Sequence, residues 1–294
     1  MWSGQRQLAM AMREHRWLYA LKAGKLGFTE LECAWDAYRA LYASPNARVH
    51  LFSIGQRESR DLLSYVRYGI EHLPPPYRPA QIDNAETDTL SELKWQMGPD
   101  DTRTIVSYPA SAHISIDQSC QHAHVDELAH MRFPQETWDA VSTTIAPEGT
   151  CHIVTRGQPG FAAELWEQVA GIDNAAQLES MAADAKASPQ LYPLFVDYRG
   201  RLGRDEVWRA AEATLRTPAG LAHYAPRTPA EALRGDPGSL IYPMFDPDRH
   251  FRRNPCEWKD YRYRYAAVDL GGTDPTAAMV AGVDRGNIQM HSLF

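Results

Sequence analysis

Leu21 to Glu30 reads LKAGKLGFTE, a run of residue types suited to holding phosphate. Gly24 and Gly27 leave room for backbone N–H groups to approach phosphate oxygens, and a helix beginning at Thr29 would add the positive end of its dipole. Thr29 also offers a hydroxyl able to ligate Mg2+. In the standard phosphate loop a lysine stands between the last glycine and the Ser/Thr. Here Phe28 occupies that place, and the lysines come earlier, at Lys22 and Lys25. Charge for the β- and γ-phosphates would then come from one of those two. A strand-turn-helix corner with two glycines is common, so this run alone leaves a nucleotide as one reading among several.

Three constellations downstream bear on that reading. HAHVDELAH, residues 122–130, ends an apolar run on Asp126 and Glu127. This is the form of a Walker B strand: Asp126 would hold Mg2+ through water and Glu127 would polarise the attacking water. An acidic strand end at the surface fits the same letters. His122 and His124 fall on one side of that strand with His130 close by, but no third zinc ligand follows at a known spacing. CHIVTRGQPGF, residues 151–161, reads as a buried strand ending in Thr155, then a polar turn and a helix. In helicase-like ATPases such a strand end senses the γ-phosphate. AAVDLGGTDPTAAMVAGVD, residues 266–284, sets Asp269 within an apolar strand ahead of a Gly-rich turn. That suits the first metal-bearing strand of a ribonuclease H-like nuclease, where carboxylates hold two Mg2+ ions. The opening of an actin-like ATPase and a plain hairpin suit it equally.

The elements that must position these residues alternate in period, as in an α/β chain. Strands are expected over 16–22, 47–53, 102–110, 122–127 and 150–156. Helices are expected over 29–44, 56–72, 133–145 and 158–171. The prolines of LPPPYRP, residues 73–79, stop the second helix, because proline lacks the N–H donor and clashes with the preceding turn. Residues 80–100 are ambiguous and compatible with a hairpin. Residues 173–190 are Ala-rich and weakly patterned. The segment 191–262, rich in Pro, Arg and aromatics, reads as a small subdomain or linker with one helix near 203–216, and not as a sheet layer. Three short strand-like runs then close the chain.

Bulk properties set the class. The chain has 294 residues, 44% hydrophobic and 23% charged, as in a globular protein. No apolar window is long enough for a membrane helix, and the charged N-terminus does not read as a secretory signal. Cys33, Cys120, Cys151 and Cys256 are scattered, with no CxxC pair, which argues against a disulfide framework and for a reducing compartment. The net charge of -7 lacks the overall basic excess common among duplex binders. Residues 249–264 run against that balance, with Lys and Arg outnumbering acids, and read as a phosphate-facing patch or a solvated linker.

Taken in order, these segments resemble the large terminase subunit of tailed bacteriophages, the DNA-packaging motor with an N-terminal ATPase, a linker and a ribonuclease H-like nuclease. LKAGKLGFTELECAW resembles the family's variant Walker A, in which basic residues precede the loop, with Lys22, Lys25, Gly27 and Thr29 matching. HAHVDELAHM resembles its Walker B. HIVTRGQPGF falls at the coupling motif, where only Thr155 matches. HYAPRTPAEAL, residues 223–233, resembles the linker's Y-P-x-T-x-E-E-A-F stretch, departing at Ala225, Ala230 and Leu233. AAVDLGGTDPTAAMV resembles the first nuclease strand, with Asp269 as metal ligand, and Gln5 or Gln7 takes the place of the adenine-reading glutamine.

The resemblance implies a P-loop NTPase fold of parallel sheet and flanking helices over 1–172. It implies a linker subdomain over 173–262 and the start of a ribonuclease H-like domain over 263–294. It further implies ATP and Mg2+ as cofactors, and double-stranded DNA, the small terminase subunit and the portal protein as partners. A ring homo-oligomer would work in the host cytoplasm, with no membrane. The stretch between Pro109 and Ser119 lacks the Arg/Gly pair that relatives often carry. The later nuclease carboxylates are absent too, so this chain alone is expected not to cut DNA. A helicase-like ATPase and an inactive prophage remnant are the alternatives.

Overall fold

In a computed structural model the described residues are 1–78, 87–112, 116, 118–170, 191–233, 263–269, 277–284 and 287–293. In the last three segments the description is of the main chain, with the side chains of Tyr263 and Tyr265. The chain divides into two compact units, Met1–Pro237 and Gly238–Phe294.

Six parallel strands form most of the first unit's sheet: β1 (Trp17–Lys22), β2 (Arg48–Ser53), β5 (Asp101–Pro109), β6 (Cys120–Asp126), β7 (Ile145–Arg156) and β8 (Tyr192–Val196). Two antiparallel strands, β3 (Thr87–Asp88) and β4 (Glu92–Gly98), extend one edge, giving the order β3-β4-β5-β2-β6-β7-β1-β8. Helices cover both faces, so the inner strands are near-continuous apolar runs such as WLYALK and not alternating ones. The two faces still separate by the period of two. Tyr19 and Leu21 of β1 pack with Phe52, Val125 and Ile153, while Leu18 and Ala20 pack with the opposite layer. Tyr19 is buried completely, and its hydroxyl donates to the Ala162 carbonyl at 2.6 Å, which satisfies the one polar atom it carries into the core.

Helix α1 (Ser3–Glu14) packs beside β1 and β8. Helices α2 (Phe28–Tyr38) and α3 (Gln56–Glu71) cover β2, β4 and β5 with Cys33, Ala37, Leu62, Leu63 and Val66. Helices α4 (Pro134–Thr144) and α5 (Phe161–Ala170) cover the other face through Val141, Leu165 and Trp166. Because the strands run parallel, the ends of β1, β6 and β7 gather at one edge. That is where open α/β sheets bind ligands.

The segment expected to stay out of the sheet contributes to it. Tyr192–Val196 pairs in parallel with β1, Leu18 opposite Tyr192 and Lys22 opposite Val196. A five-residue edge strand containing a proline carries too little periodicity to announce itself. The helix expected near 203–216 is present, shortened, as α6 (Glu206–Ala213), and two short helices that were not expected follow it, α7 (Pro218–Tyr224) and α8 (Pro229–Leu233). Asp205 caps α6 by accepting from the Trp208 N–H, and Thr217 caps α7 by accepting from the Gly220 N–H. Strand β7 starts at Ile145, directly after α4, and not at residue 150. The boundaries expected at 172 and 262, and nearly all of the basic run 249–264, lie outside the described residues.

The second unit contains three antiparallel strands in the order β11-β10-β9: β9 (Tyr263–Asp269), β10 (Ala277–Asp284) and β11 (Asn287–Leu293). Asp269 ends β9 opposite Ala277, at the strand's terminus and not in its middle.

Candidate active site

At the gathered strand ends, Lys22 is the last residue of β1 and is 4% exposed. Its Nζ donates to Glu127 Oε1 at 2.8 Å, reaching past the end of β7, which lies between β1 and β6. Glu127 follows β6 in the left-handed region, at φ +57°, and its N–H donates to the Val154 carbonyl at 2.7 Å. A non-glycine residue held there stores strain of a kind concentrated at functional sites. The carboxylate is clamped on both oxygens: the Arg156 backbone N–H donates to Oε2 at 3.0 Å and Arg156 Nε to Oε1 at 3.2 Å. Burial alone would raise its pKa, but Lys22 and then Arg156 outweigh burial and hold it below the ordinary carboxylate value.

Asp126, the last residue of β6, accepts from Thr29 Oγ1 at 3.1 Å. Its pKa is raised by burial, against the opposing pull of His124, whose Nε2 lies 3.9 Å from Oδ1. The glycine loop and the acidic strand end therefore meet through two side-chain pairs, Thr29–Asp126 and Lys22–Glu127, 97 and 105 positions apart in sequence. Thr29 is the second residue of α2 and not the first: Gly27, at φ +69°, caps the helix and Phe28 opens it. Phe28 stands where the standard loop has its lysine, and it is buried in the layer formed by α1 and β1.

The loop is braced from outside. The Gly24 N–H donates to the Tyr224 carbonyl at 2.8 Å, and Arg204 Nη1 donates to the Gly24 carbonyl at 2.7 Å. A Cβ on Gly24 would sit 2.5 Å from the Tyr224 ring, so glycine is needed here for close approach. Gln5 Nε2 donates to the Gly27 carbonyl at 3.0 Å while Gln5 Oε1 accepts from the Trp2 N–H at 3.1 Å, so both ends of its amide are engaged. Gln7 is exposed and lines a separate shallow depression with Ser3, Asp197 and Arg199. Lys25 is exposed and left-handed at φ +52°, and its carbonyl accepts from Arg201 Nη1 at 2.9 Å.

An open cavity of about 610 Å3 covers this edge, lined by Trp2, Lys22, Gly27, Thr29, Glu127 and Arg156, among others. It is lined by a glycine loop at a helix start, the cations Lys22, Lys25, Arg156 and Arg201 and the carboxylates Glu30 and Glu127, a setting that suits a phosphorylated ligand. A second open cavity of about 530 Å3, along β2, β4 and β5 and lined by His50, Glu92 and Tyr108, has no such loop.

Thr155 is wholly buried beside this edge. Its hydroxyl accepts from the Ala129 N–H at 3.1 Å and donates to the Arg156 carbonyl at 2.9 Å, tying the turn after Glu127 to the end of β7. His122 and His124 do share a face of β6, but both bond to Asp36 of α2 and not to His130, which lies 3.7 Å from Glu127 Oε2. The side chain of Asp269 lies outside the described residues. Sequence reasoning missed Arg156, Arg201, Arg204, Trp2 and Tyr224. Arg156 directly follows Thr155 in VTRG and was the most readable of them.

No protein-family model matches the chain, and no curated protein matches it by sequence. Solved structures do match. The large terminase of a thermophilic bacteriophage, in complex with ADP, superposes with a TM-score of 0.56 at 13% identity, over 98% of this chain and 66% of the other. The HK97 bacteriophage large terminase gives 0.58 at 15% identity, over 98% and 61%. The ATPase domain of the Thermus phage P74-26 large terminase gives 0.55 at 14% identity, over 74% and 90%. The first unit thus has the P-loop NTPase fold of these large terminases, and the chain spans about two thirds of the length of the ADP-bound protein.

Proposed function

We propose that this chain is an ATP-hydrolysing motor subunit that drives double-stranded DNA into a viral procapsid. The observation that carries the reading is the pair of contacts Lys22–Glu127 and Thr29–Asp126, which join a phosphate loop to an acidic strand end on this fold. Lys22 leaves Glu127 for the β/γ-phosphates when nucleotide enters, and Lys25 assists from the loop. Release of Lys22 frees Glu127 to orient the attacking water, as an ionised carboxylate must. Arg156 stays within reach of the same carboxylate and of the cavity. Thr155 links the turn after Glu127 to β7, a route by which the phosphate state would reach a DNA-gripping surface.

The residues present fit Mg2+. A hydroxyl at a helix start and a buried carboxylate 3.1 Å away are hard oxygen donors, of the number Mg2+ takes alongside phosphate and water. Thr29 and Asp126 would hold the ion, which would supply charge neutralisation at the β- and γ-phosphates.

Gly24 and Gly27 shape the loop, and Gln5 steadies it while Trp2 offers an aromatic face to a base; Gln7 is left without a nucleotide role. The antiparallel β9–β11 hairpins accord with the opening of a ribonuclease H-like sheet, with Asp269 as its first metal ligand. The partners in this reading are duplex DNA, the small terminase subunit, the portal protein and further copies of the chain in a ring, in the host cytoplasm. The test is ATP turnover with and without linear duplex DNA. Mg2+-dependent hydrolysis that rises on adding duplex supports the reading, and turnover indifferent to DNA contradicts it.

A further inference from the structure

Behind the strand ends, α2 turns two carboxylates and a thiol toward the sheet. Glu32, Cys33 and Asp36 fall on one helical face by their spacing and are 0%, 2% and 0% exposed. They meet His122 and His124 of β6 and His152 of β7, each 0% exposed, with His124 opposite His152 in the strand register. Asp36 is committed to two histidines, Oδ1 to His122 Nε2 at 3.0 Å and Oδ2 to His124 Nδ1 at 2.8 Å. Glu32 Oε2 meets His152 Nδ1 at 3.1 Å.

Glu32 Oε1 and His152 Nε2 have no hydrogen-bond partner among the described residues, although both side chains are wholly buried. Buried polar atoms are ordinarily paired, and an ionisable group left half-satisfied in a core calls for a compensating charge or ligand. One donor atom from each of Glu32, His122 and His152 lies within 4.8 Å of the others. The His122 and His152 rings stand 4.8 Å apart at 77°, edge toward face.

We propose that Glu32, His122 and His152 bind a divalent transition-metal ion of the zinc class in the core between α2 and the sheet, loaded as the chain folds. Two imidazoles and a carboxylate form a donor set that zinc takes, whereas Mg2+ prefers oxygen alone. His122 Nδ1 lies 2.7 Å from Thr150 Oγ1 and its Nε2 3.0 Å from Asp36, so the ion displaces one of these partners. If Asp36 stays, it is the carboxylate that orients a metal-bound histidine from behind. The adjacent set of Cys33, Asp36 and His124 suits an ion less well: Asp36 already serves two histidines, and Cys33 donates to the Leu62 carbonyl at 3.7 Å. The sequence spacing hid this set because its third member comes from β7 and its acid from α2. The inference is independent of the nucleotide reading, since none of the three residues lines that cavity.

The test uses the untagged full chain, unfolded with a chelator and refolded with or without Zn2+, then analysed for metal by mass spectrometry. The expected result is about one equivalent of zinc per chain that resists dialysis, with thermal stability higher than in the metal-free sample. Co2+ in its place should give the strong visible bands of a low-coordinate nitrogen/oxygen site. His152→Phe and Glu32→Gln should each lose the ion, whereas Asp126→Asn, at the strand end, should keep it. Refolded wild type without zinc, or with zinc that dialyses away and leaves stability unchanged, overturns the proposal even if the variants fail to fold. So does a full equivalent retained in both His152→Phe and Glu32→Gln.

Discussion

Lys22 and Glu127 face each other past the end of the strand that lies between them, Nζ to Oε1 at 2.8 Å, with both side chains largely withdrawn from solvent. The pair places a buried cation at the edge of the cavity that the glycine loop also lines. Alanine at Lys22 should therefore lower ATP turnover by about a hundredfold or more, the scale for removing one preorganised electrostatic group. Alanine at Lys25, whose side chain is exposed, should cost less. Steady-state hydrolysis by the two variants decides between the lysines, and a greater loss at Lys25 would reverse the assignment.

Thr29 and Asp126 give a separate expectation. Thr29→Ala should raise the Mg2+ concentration needed for half-maximal turnover by about ten- to a hundredfold, as loss of a metal-supporting group does, while Thr29→Ser keeps the hydroxyl and stays near wild type. An Mg2+ titration of both variants checks it.

Gly157 tests how the segment after β8 docks. A Cβ there would stand 2.3 Å from the Ala232 carbonyl oxygen, and main chain is slow to yield. Gly157→Ala should destabilise by ~1–3 kcal/mol in urea unfolding through overpacking. Gly69→Ala, on the exposed face of α3 with nothing near the new methyl, should instead stabilise by ~0.5–1 kcal/mol.

His50 makes a pH prediction. Burial, and then Arg48, push its pKa down from 6.5 to about 4, with its ring set edge-on to Tyr108. Below the unfolded value the unfolded chain takes a proton that the folded chain refuses, so this residue's contribution to stability falls as pH drops from 6.5 toward 4. His50→Leu should have a flatter melting-temperature profile over that window than wild type. Parallel profiles would refute the assignment.

The readable parts of this chain are those where one period dominates. WLYALK, RVHLFS and the amphipathic α3 were identifiable because burial on two faces or on one stripe writes itself into consecutive residues. Thr29, Asp126 and Glu127 were readable as types in order, and the structure brings their side chains to one end of the sheet. What sequence did not carry was contact between distant segments. That the Gln5 amide also bonds to the loop, through the Gly27 carbonyl, was not readable, because it follows from α1 packing beside β1. Tyr192–Val196 looked like linker because an edge strand needs only one neighbour, and β1 supplies it from far back in the chain. His122 and His124 had no third partner in sequence because Asp36, Glu32 and His152 reach them across a helix–sheet interface.

ATP hydrolysis by Glu127→Gln against the wild-type chain bears most directly on the account. The wild type should turn over ATP with Mg2+, and the variant should be slower by about a hundredfold or more while still binding nucleotide, because only the group that orients water is changed. Equal rates in the two, near zero or otherwise, would contradict it.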